Sequence, residues 1–231
     1  MRLAVSFSGG KDSLVVLHQL LQKDPNILVI FVDTTISIPE NVEYVKNLAD
    51  EWGFDLRIYK PPKDFFTKLL EKRIWPRKNT RWCYTELKMR AFQKALRELG
   101  LDGFYTGLRR EESIRRRDRP IKYWNVKARY WLVNPIIDWS SRDVEVYIKK
   151  HDLPLNPCYR FYGTTGCWYC PFLTKEKVMR IALRHPELME RLIPYEEIIE
   201  PAFYFKDRPC SVKEILAQTS LCSTRVETVK C

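Results

Sequence analysis

Apolar and polar positions alternate in blocks over the first two thirds of the chain. Short apolar runs occupy residues 3–7, 26–32, 55–59, 103–106 and 130–133. The run at 26–32 (NILVIFV) is continuous, as expected for a strand that is buried on both faces. Stretches with helical periodicity lie between these runs, at residues 14–21, 39–52, 64–71, 86–98 and 141–151. This alternation predicts an α/β fold with a mostly parallel sheet.

The pattern changes after about residue 171. Residues 175–184 and 186–200 have helical periodicity, and the stretch from 201 to 231 is irregular apart from a short helix expected near 212–217. The sequence therefore predicts a main domain over residues 1–175 and a small, helical C-terminal extension over residues 176–231.

Segments that carry candidate functional residues follow four of the predicted strands. They are residues 8–13, 33–34, 107–112 and 135–138. Because ligands of parallel α/β sheets bind beyond the carboxyl ends of the strands, we expect these segments to form one composite site.

The segment SGGKDS, which begins at Ser8, has the properties of a phosphate-binding loop. Gly9 and Gly10 let the backbone turn tightly, so that its N–H groups approach a ligand, and the helix that follows directs its positive end to the same point. Lys11 adds a positive charge, and Ser8 and Ser13 add hydroxyl groups. The segment is neither a Walker A loop nor a Gly-x-Gly-x-x-Gly fingerprint.

Composition and charge narrow the functional classes. The chain has 231 residues, of which 45% are apolar and 30% charged, as in a folded protein. With no separate signal segment and no apolar run near the roughly 20 residues of a membrane helix, we expect a cytoplasmic protein without a membrane partner. The net charge of +11 favours polyanionic partners, either nucleotides or a nucleic acid such as tRNA or DNA. Trp75 and Trp82 lie among cations and are candidates for stacking a base.

The cysteines are candidates for thiol or metal chemistry. Their number, seven, is odd, and structural disulfides are disfavoured in a reducing compartment. Cys167 and Cys170 have the two-residue spacing that lets two sulfurs reach one metal, and Cys158 lies nine residues before Cys167. The alternatives are an iron–sulfur cluster, a zinc site, a redox-active dithiol and packing in the core.

The motifs resemble a known family. SGGKDS resembles the PP-loop of the adenine nucleotide α-hydrolase-like superfamily, which has a HUP-type fold. Further segments resemble the phosphoadenosine phosphosulfate (PAPS) reductase family in particular, and the resemblance covers residues 1–175. These segments are VDT (32–34), RWC (81–83) with LK (87–88), GLRREES (107–113) with Arg116, NPI (134–136), LPLNP (153–157) and GCWYCP (166–171).

The resemblance implies an adenine-nucleotide site. Catalytic roles are expected for Lys11, Asp12 and Arg109, since Lys11 and Arg109 would stabilise charge on the phosphates. Asp12 and Asp33 would help to hold Mg²⁺, because carboxylate oxygens suit that ion. The expected nucleotide-binding set is Ser8, Gly9, Gly10, Lys11, Asp12, Ser13, Asp33, Thr34, Gly107, Arg109 and Arg116.

The resemblance also implies that the Cys83 segment folds toward this site. The expected metal ligands are then Cys83, Cys158, Cys167 and Cys170, a complement that suits a [4Fe–4S] cluster or, alternatively, Zn²⁺. Iron–sulfur reductases of this kind carry adjacent cysteines near the Cys83 position, which favours the cluster. Here Tyr84 follows Cys83, so Cys158 would supply the missing ligand.

Two enzymatic functions compete. An ATP pyrophosphatase would cleave ATP between the α- and β-phosphates and adenylate a substrate in sulfur transfer or thiolation, with a sulfur donor protein as partner. The intact SGGKDS favours this function, because reductases of the family usually have a serine-rich loop. The alternative is a reductase of PAPS or adenosine phosphosulfate (APS). The arginine motif favours it, whereas the C-terminal Glu-Cys-Gly-Leu-His segment is lacking and leaves Cys231 as the candidate nucleophile.

Two further functions stay open. One is a non-catalytic module that binds a nucleotide or nucleic acid and holds a structural metal, which the positive charge permits. The other is adenylyl transfer to a flavin nucleotide, which some relatives of this family perform.

Overall fold

A six-stranded sheet forms the centre of the protein. The computed structural model describes residues 1–126, 128–205 and 208–227. The strand order is β3-β2-β1-β4-β6-β5, and all neighbours are parallel except β5 and β6. The predicted α/β fold with a mostly parallel sheet is confirmed. The strands are β1 (Leu3–Ser6), β2 (Val29–Val32), β3 (Leu56–Tyr59), β4 (Gly103–Tyr105), β5 (Lys122–Asn125) and β6 (Tyr130–Val133).

Helices cover both faces of the sheet and form the extension. A π-helical turn, Tyr84–Met89, leads directly into α4, so the helix predicted over 86–98 is longer and begins irregularly. The helices are α1 (Lys11–Leu21), α2 (Pro39–Trp52), α3 (Phe65–Lys72), α4 (Arg90–Leu99), α5 (Ser141–Lys150), α6 (Cys158–Tyr162), α7 (Lys175–Arg184), α8 (Pro186–Glu190), α9 (Ile193–Glu196) and α10 (Val212–Glu227).

The extension differs from its prediction in three ways. The single helix expected over 186–200 is two short helices, because Pro194 lacks the N–H that a continuous helix requires and lies in the first turn of α9 instead. A hairpin of β7 (Phe203–Phe205) and β8 (Arg208–Cys210) follows within the predicted irregular stretch. Helix α10 continues to Glu227, well beyond the predicted 212–217.

Three apolar clusters hold these layers together. One packs α1, α2 and α5 against one face of the sheet, and a second packs α4 against the other face. The third joins α3 and the segment around Trp168 to α7, α8 and α10. The extension therefore shares a core with the segment that carries Cys167 and Cys170. The domain boundary at 175 stays a prediction.

Within the described ranges, the helices include none that combines the length and apolar character needed to cross a membrane.

Candidate active site

The phosphate loop lies at the topological switch point of the sheet, where successive strands begin to be added on the other side of β1. β1 lies between β2 and β4, and the loop connects β1 to α1 at the carboxyl edge of the strands. Gly9 has a φ of +76°, and a Cβ at this position would lie 2.0 Å from Asn41 Oδ1. Only glycine fits there without strain, since the left-handed region disfavours other L-residues and the neighbouring amide leaves no space.

Hydrogen bonds within the loop hold its serine side chains inward. The Ser8 and Ser13 hydroxyls are 3.0 Å apart, the Ser13 hydroxyl donates to Gly10 O at 2.9 Å, and the Ser8 amide donates to Ser13 Oγ at 3.2 Å. These two serines therefore shape the loop in the absence of a ligand.

Two buried asparagines and a tyrosine brace the loop from distant parts of the chain. Asn156 Nδ2 donates to Gly9 O at 3.0 Å and to Asn41 Oδ1 at 2.7 Å, and Asn41 Nδ2 donates to Ser8 O at 3.2 Å. Tyr159 Oη accepts the Lys11 amide at 2.9 Å. Sequence reasoning missed all three residues. The signal for Asn156 was present in the LPLNP segment.

The loop leaves backbone donors free for a ligand. Among the described residues, the amides of Gly9, Asp12 and Ser13 donate no hydrogen bond. The amides of Asp12 and Ser13 lie in the first turn of α1, whose eleven residues add the positive end of a helix dipole. Lys11 adds a partly exposed ammonium group. This arrangement suits an anion such as a phosphate group.

Arg109 braces the phosphate loop. The residue is 3% exposed, and its guanidinium makes four hydrogen bonds to protein atoms. Nε donates to Asp12 Oδ1 at 2.6 Å and Nη1 to Glu111 Oε2 at 2.7 Å, and the same Glu111 oxygen accepts the Ser141 amide at 2.6 Å. Its donors connect the loop to the start of α5, and a direct contact of Arg109 with phosphate stays a prediction.

Gly107 and Arg116 have different roles from each other. A Cβ on Gly107 would lie 2.6 Å from the Asp12 carbonyl carbon, so the lack of a side chain lets the β4 end approach the first turn of α1. Arg116 pairs with Glu112, and both remain partly exposed. Gly107 thus contributes to the packing of the loop, whereas Arg116 contributes a partly exposed positive charge.

The carboxylates expected to hold Mg²⁺ are already paired with cations. Asp12 contacts Arg109 and lies 3.2 Å from Lys11 Nζ. Asp33 accepts the Thr35 amide at 3.0 Å and lies 3.5 Å from Lys60 Nζ. This pairing does not fit a shared Mg²⁺ site of these two residues.

A cavity of about 100 Å³ opens beside the loop, at the carboxyl ends of β1 and β2. Phe31, Val32 and Phe92 give it an apolar wall, while hydroxyl, amide, ammonium and thiol groups line the rest. Such a mixture is typical of a small-molecule site. The polar lining residues are Ser6, Ser8, Thr34, Ser37, Asn41, Lys88, Thr165 and Cys167.

The cavity includes a thiol because the cysteine segment, residues 166–171, pairs with the connection between β2 and α2. Ser37 forms an antiparallel bridge with Cys167, and the Trp168 amide donates to Ile36 O at 2.9 Å. Cys167 Sγ consequently lies 3.1 Å from Thr34 Oγ1. Burial raises the pKa of the Cys167 thiol to about 12, and the Thr34 hydroxyl and Lys88 act in the opposite direction.

Lys88 comes from the π-helical turn and was not among the predicted site residues, although its segment had been singled out. Burial lowers the pKa of Lys88, and Arg116 and Arg81 act in the same direction, whereas Cys167 and Cys170 oppose them. Since π-helical turns often occur at functional sites, this irregular start of α4 fits a position at the cavity wall.

The phosphoadenosine phosphosulfate reductase domain model matches residues 2–173. The chain belongs to this family. The matched PAPS reductase domain includes the whole six-stranded sheet, the phosphate loop and the cysteine segment, and it ends just before α7.

Known members of the family are similar to this chain over most of that domain. PAPS reductases of Xylella fastidiosa (strain M12) and Xanthomonas axonopodis pv. citri (strain 306) are 33% and 34% identical over 159 and 167 residues. Both alignments cover 68% of this chain, and they cover 66% and 65% of the relatives, so the chain spans about two thirds of their length. An uncharacterized Methanocaldococcus jannaschii protein is 28% identical over 224 residues, which cover 91% of this chain and 53% of that protein.

Solved structures support the fold. A PAPS reductase from Candida auris, in a phosphate complex, has a TM-score of 0.59 and 25% identity, covering 74% of this chain and 83% of that one. Candida glabrata FMN adenylyltransferase, in complex with FAD and inorganic pyrophosphate, has a TM-score of 0.56 over 72% of this chain and 55% of its own. At 13% identity, the second similarity shows the fold alone.

The predicted four-cysteine metal set is not assembled. In the described part of the chain, no three or more His, Cys, Asp or Glu side chains are grouped so that they could hold a metal ion. Burial and Cys170 raise the pKa of Cys83, and Cys170 and Cys83 add to the effect of burial on the pKa of Cys167. Burial and Glu40, and no cysteine, raise the pKa of Cys158. Cys158 is 0% exposed and packs in the third apolar cluster. Its burial explains why a nine-residue spacing does not bring it to the other thiols.

The two tryptophans suggested for base stacking are core residues. Trp75 is 0% exposed and Trp82 8%, and their indole N–H groups donate to Glu200 O at 2.8 Å and Ile74 O at 2.9 Å. This corrects their interpretation as a nucleic-acid surface. Cys231, the candidate nucleophile of the tail, lies outside the described residues.

Proposed function

We propose that this protein is a sulfonucleotide reductase, which cleaves the sulfate from the 5′-phosphate of PAPS or APS and releases sulfite. The observation that carries the proposal is the thiol of Cys167 in the wall of the cavity that also includes Ser8 of the phosphate loop. Reductive removal of a sulfonate group requires a thiol at the nucleotide site, whereas hydrolysis of ATP does not. The names of the bacterial relatives point in the same direction.

Each group at the site has a role in this proposal. The free amides of Gly9, Asp12 and Ser13, together with Lys11, would bind the 5′-phosphate and stabilise the charge that develops on it as sulfur leaves. Lys88 would attract the sulfonate end of the substrate. Arg109 would act as a positioning residue that holds Asp12 and the loop against α5.

An ATP pyrophosphatase is the second candidate. The observation that favours it is the intact SGGKDS loop, whose free amides and helix terminus suit the longer phosphate chain of ATP. In that case the bond between the α- and β-phosphates of ATP would break, pyrophosphate would leave, and the AMP group would pass to an acceptor in sulfur transfer or thiolation, tRNA or DNA among them.

One assay separates the two candidates. Anaerobically purified protein is incubated with PAPS, APS or ATP, each with Mg²⁺ and a small dithiol reductant, and sulfite, pyrophosphate and the adenine products are quantified. We expect sulfite and an adenosine phosphate from PAPS or APS, and no pyrophosphate from ATP. Release of pyrophosphate and AMP from ATP, without sulfite from either sulfonucleotide, would instead establish the second candidate.

A further inference from the structure

Two basic segments of the chain have no role in the proposed reaction. Residues 72–81 contain five cationic side chains and no carboxylate, and residues 115–119 contain four arginines beside a single aspartate. Such a local excess of positive charge attracts polyanions. The two segments are more than thirty residues apart in the sequence, so the fold decides whether they act together.

The fold brings both segments to one surface beside the cavity. Arg81 lies just before the π-helical turn that carries Lys88, and Arg116 comes from the loop before β5. Burial lowers the pKa of Lys88, and Arg116 and Arg81 lower it further, so both arginines lie near this lysine. Because Lys88 lines the cavity, the surface that the two segments form borders the cavity.

Aromatic rings lie among the cations on this surface. The guanidinium carbon of Arg81 is 5.2 Å from the centre of the Tyr84 ring and 4.9 Å from the centre of the Phe172 ring. One arginine of the first segment is thus in cation–π contact with two rings.

The second segment makes the same kind of contact next to the first. The guanidinium carbon of Arg119 is 5.2 Å from the centre of the Tyr123 ring, and Arg119 Nη1 donates a hydrogen bond to the Tyr123 hydroxyl. Burial raises the pKa of Tyr123, Arg119 opposes this effect, and Tyr84 adds to it. Tyr84 and Tyr123 are therefore close together, and the two cation–π groups are adjacent.

Charges and ring faces of this surface are open to a ligand. Tyr84 is 39% exposed and Phe172 53%, although aromatic rings are more often buried. In the part of the chain that the structure describes, Arg81 and Arg119 have no carboxylate within ion-pair distance, whereas Arg116 pairs with Glu112. We define the basic surface by the following residues: Arg81, Tyr84, Arg116, Arg119 and Phe172.

We propose that the basic surface binds single-stranded nucleic acid. Phosphate groups would lie against Arg81 and Arg119, and unpaired bases would stack on the exposed rings of Tyr84 and Phe172. A single strand fits because only unpaired bases offer a free face for stacking. An acidic peptide would neutralise the arginines but leave both exposed rings without a partner. The proposal goes beyond the proposed function and is compatible with either candidate reaction, because it concerns the surface outside the cavity.

Fluorescence anisotropy with labelled oligo(dT) and oligo(U) of about 12 nucleotides tests the proposal on the full chain, without sulfonucleotide or ATP. We expect binding that weakens as salt is added, since each phosphate contact with a cation contributes about −0.7 to the slope of log K against log salt concentration. Phe172→Ala and Tyr84→Ala should each weaken binding at least about fivefold, the loss expected for one stacked base. Arg81→Gln and Arg119→Gln should each reduce the steepness of the slope by about 0.7.

Val146→Ala and Lys149→Ala are the matched controls. Both residues are exposed on α5, which packs against the opposite face of the sheet from α4, so both variants should bind as wild type does. Circular dichroism of every variant verifies that a loss of binding is not a loss of folding.

Three results would overturn the proposal. One is the absence of oligonucleotide binding by wild-type protein at about 50 mM salt, where phosphate contacts are strong. Another is equal binding of oligonucleotide and polyglutamate of the same charge, with Phe172→Ala and Tyr84→Ala unchanged, which would indicate an acidic protein partner. The third is tighter binding of a duplex than of the single strand, which would show that the rings do not stack on bases. The sulfite and pyrophosphate assay decides the proposed function separately, because the binding measurements contain neither substrate.

Discussion

The phosphate loop and the turn from Cys167 to Cys170 meet at one cavity but are held there by different interactions. The loop is braced by buried polar groups, since the side-chain amides of Asn41 and Asn156 donate hydrogen bonds to its backbone carbonyls. The turn is held by large apolar rings, since Trp168 and Tyr169 pack among residues of the extension. Hydrogen bonds to the loop fix the orientation of individual backbone atoms. Apolar packing fixes the position of the turn because the large rings fill the space around them. The two regions should therefore respond differently to substitution.

The largest effect is expected from Trp168→Ala, which removes the apolar anchor of the turn. Truncating a fully buried tryptophan creates a cavity and should lower the free energy of unfolding by about 3–5 kcal/mol. Denaturant unfolding measures this loss. Trp124→Ala is the matched control, because Trp124 is exposed on the edge strand β5 and its loss should change stability by about 0.5 kcal/mol or less. Equal losses in both variants would contradict the anchoring role.

Gly9→Ala should disrupt the loop. The left-handed φ costs about 1–2 kcal/mol for alanine, and the added Cβ would also lie 2.0 Å from Asn41 Oδ1. Each ~1.4 kcal/mol of loop distortion weakens nucleotide binding about tenfold, which calorimetry with PAPS and ATP can measure. Gly53→Ala has a similar φ of +69° but open space around its Cβ, so it should lose stability and retain affinity. Unchanged affinity in Gly9→Ala would show that the loop does not bind the nucleotide.

Arg109→Lys tests the polar bracing of the phosphate loop, because lysine keeps the charge of arginine and loses its planar guanidinium group. We expect a loss of about 1–2 kcal/mol in unfolding free energy, with reduced nucleotide affinity. A double-mutant cycle with Asp12→Asn should give a non-additive result, since the two residues share a hydrogen bond of 2.6 Å. Arg115→Lys, on an exposed residue of the same segment, is the control. Strict additivity would contradict the bracing role.

The smallest effect concerns the contact of the extension with α2. His185 Nε2 lies 3.0 Å from Glu40 Oε1, and hydrogen bonds with Glu40 and Glu187 outweigh burial and raise the His185 pKa above 6.5. Because the folded protein holds this proton more tightly, the stabilisation is complete below about pH 6.5 and is lost as the pH rises through the raised pKa. Hydrogen bonds from Tyr162 and His185 lower the Glu40 pKa against the effect of burial, so its contribution is lost only at acidic pH.

His185→Gln should therefore destabilise the protein at about pH 6 by about 0.3–1 kcal/mol and have less effect near pH 8.5. Urea unfolding of both proteins over this pH range measures the difference. A destabilisation that grows with rising pH would have the wrong sign for this ion pair.

The sequence predicts the local features of the site better than the distant ones. The Gly-Gly pair, the strand before it and the helix after it are neighbours in the chain, so their pattern predicts the loop directly. Asn41 and Asn156 are separated from the loop by 33 and 147 residues, and only folding reveals that they brace it. Lys88 was missed as a site residue because an irregular π-helical turn has no periodicity of its own to recognise.

Two predicted site residues are engaged within the protein for the same physical reason. Arg109 and Cys158 were both assigned to ligands because their residue types suit phosphate or metal. Both residues are almost fully buried, however. The Arg109 guanidinium donates hydrogen bonds to protein atoms, and Cys158 packs in the third apolar cluster. The edge strand β5 escaped prediction for the opposite reason, since Lys122 and Trp124 are exposed and its pattern lacks a buried apolar run.

We expect one cavity to receive the nucleotide at the phosphate loop and to present it to Cys167. Alkylation of the native protein, followed by peptide mass spectrometry with and without saturating PAPS, APS or ATP, tests this arrangement. We expect a nucleotide to protect Cys167 strongly and to leave the alkylation of Cys83, which does not line the cavity, unchanged. Equal alkylation of Cys167 with and without every nucleotide that binds would contradict the account.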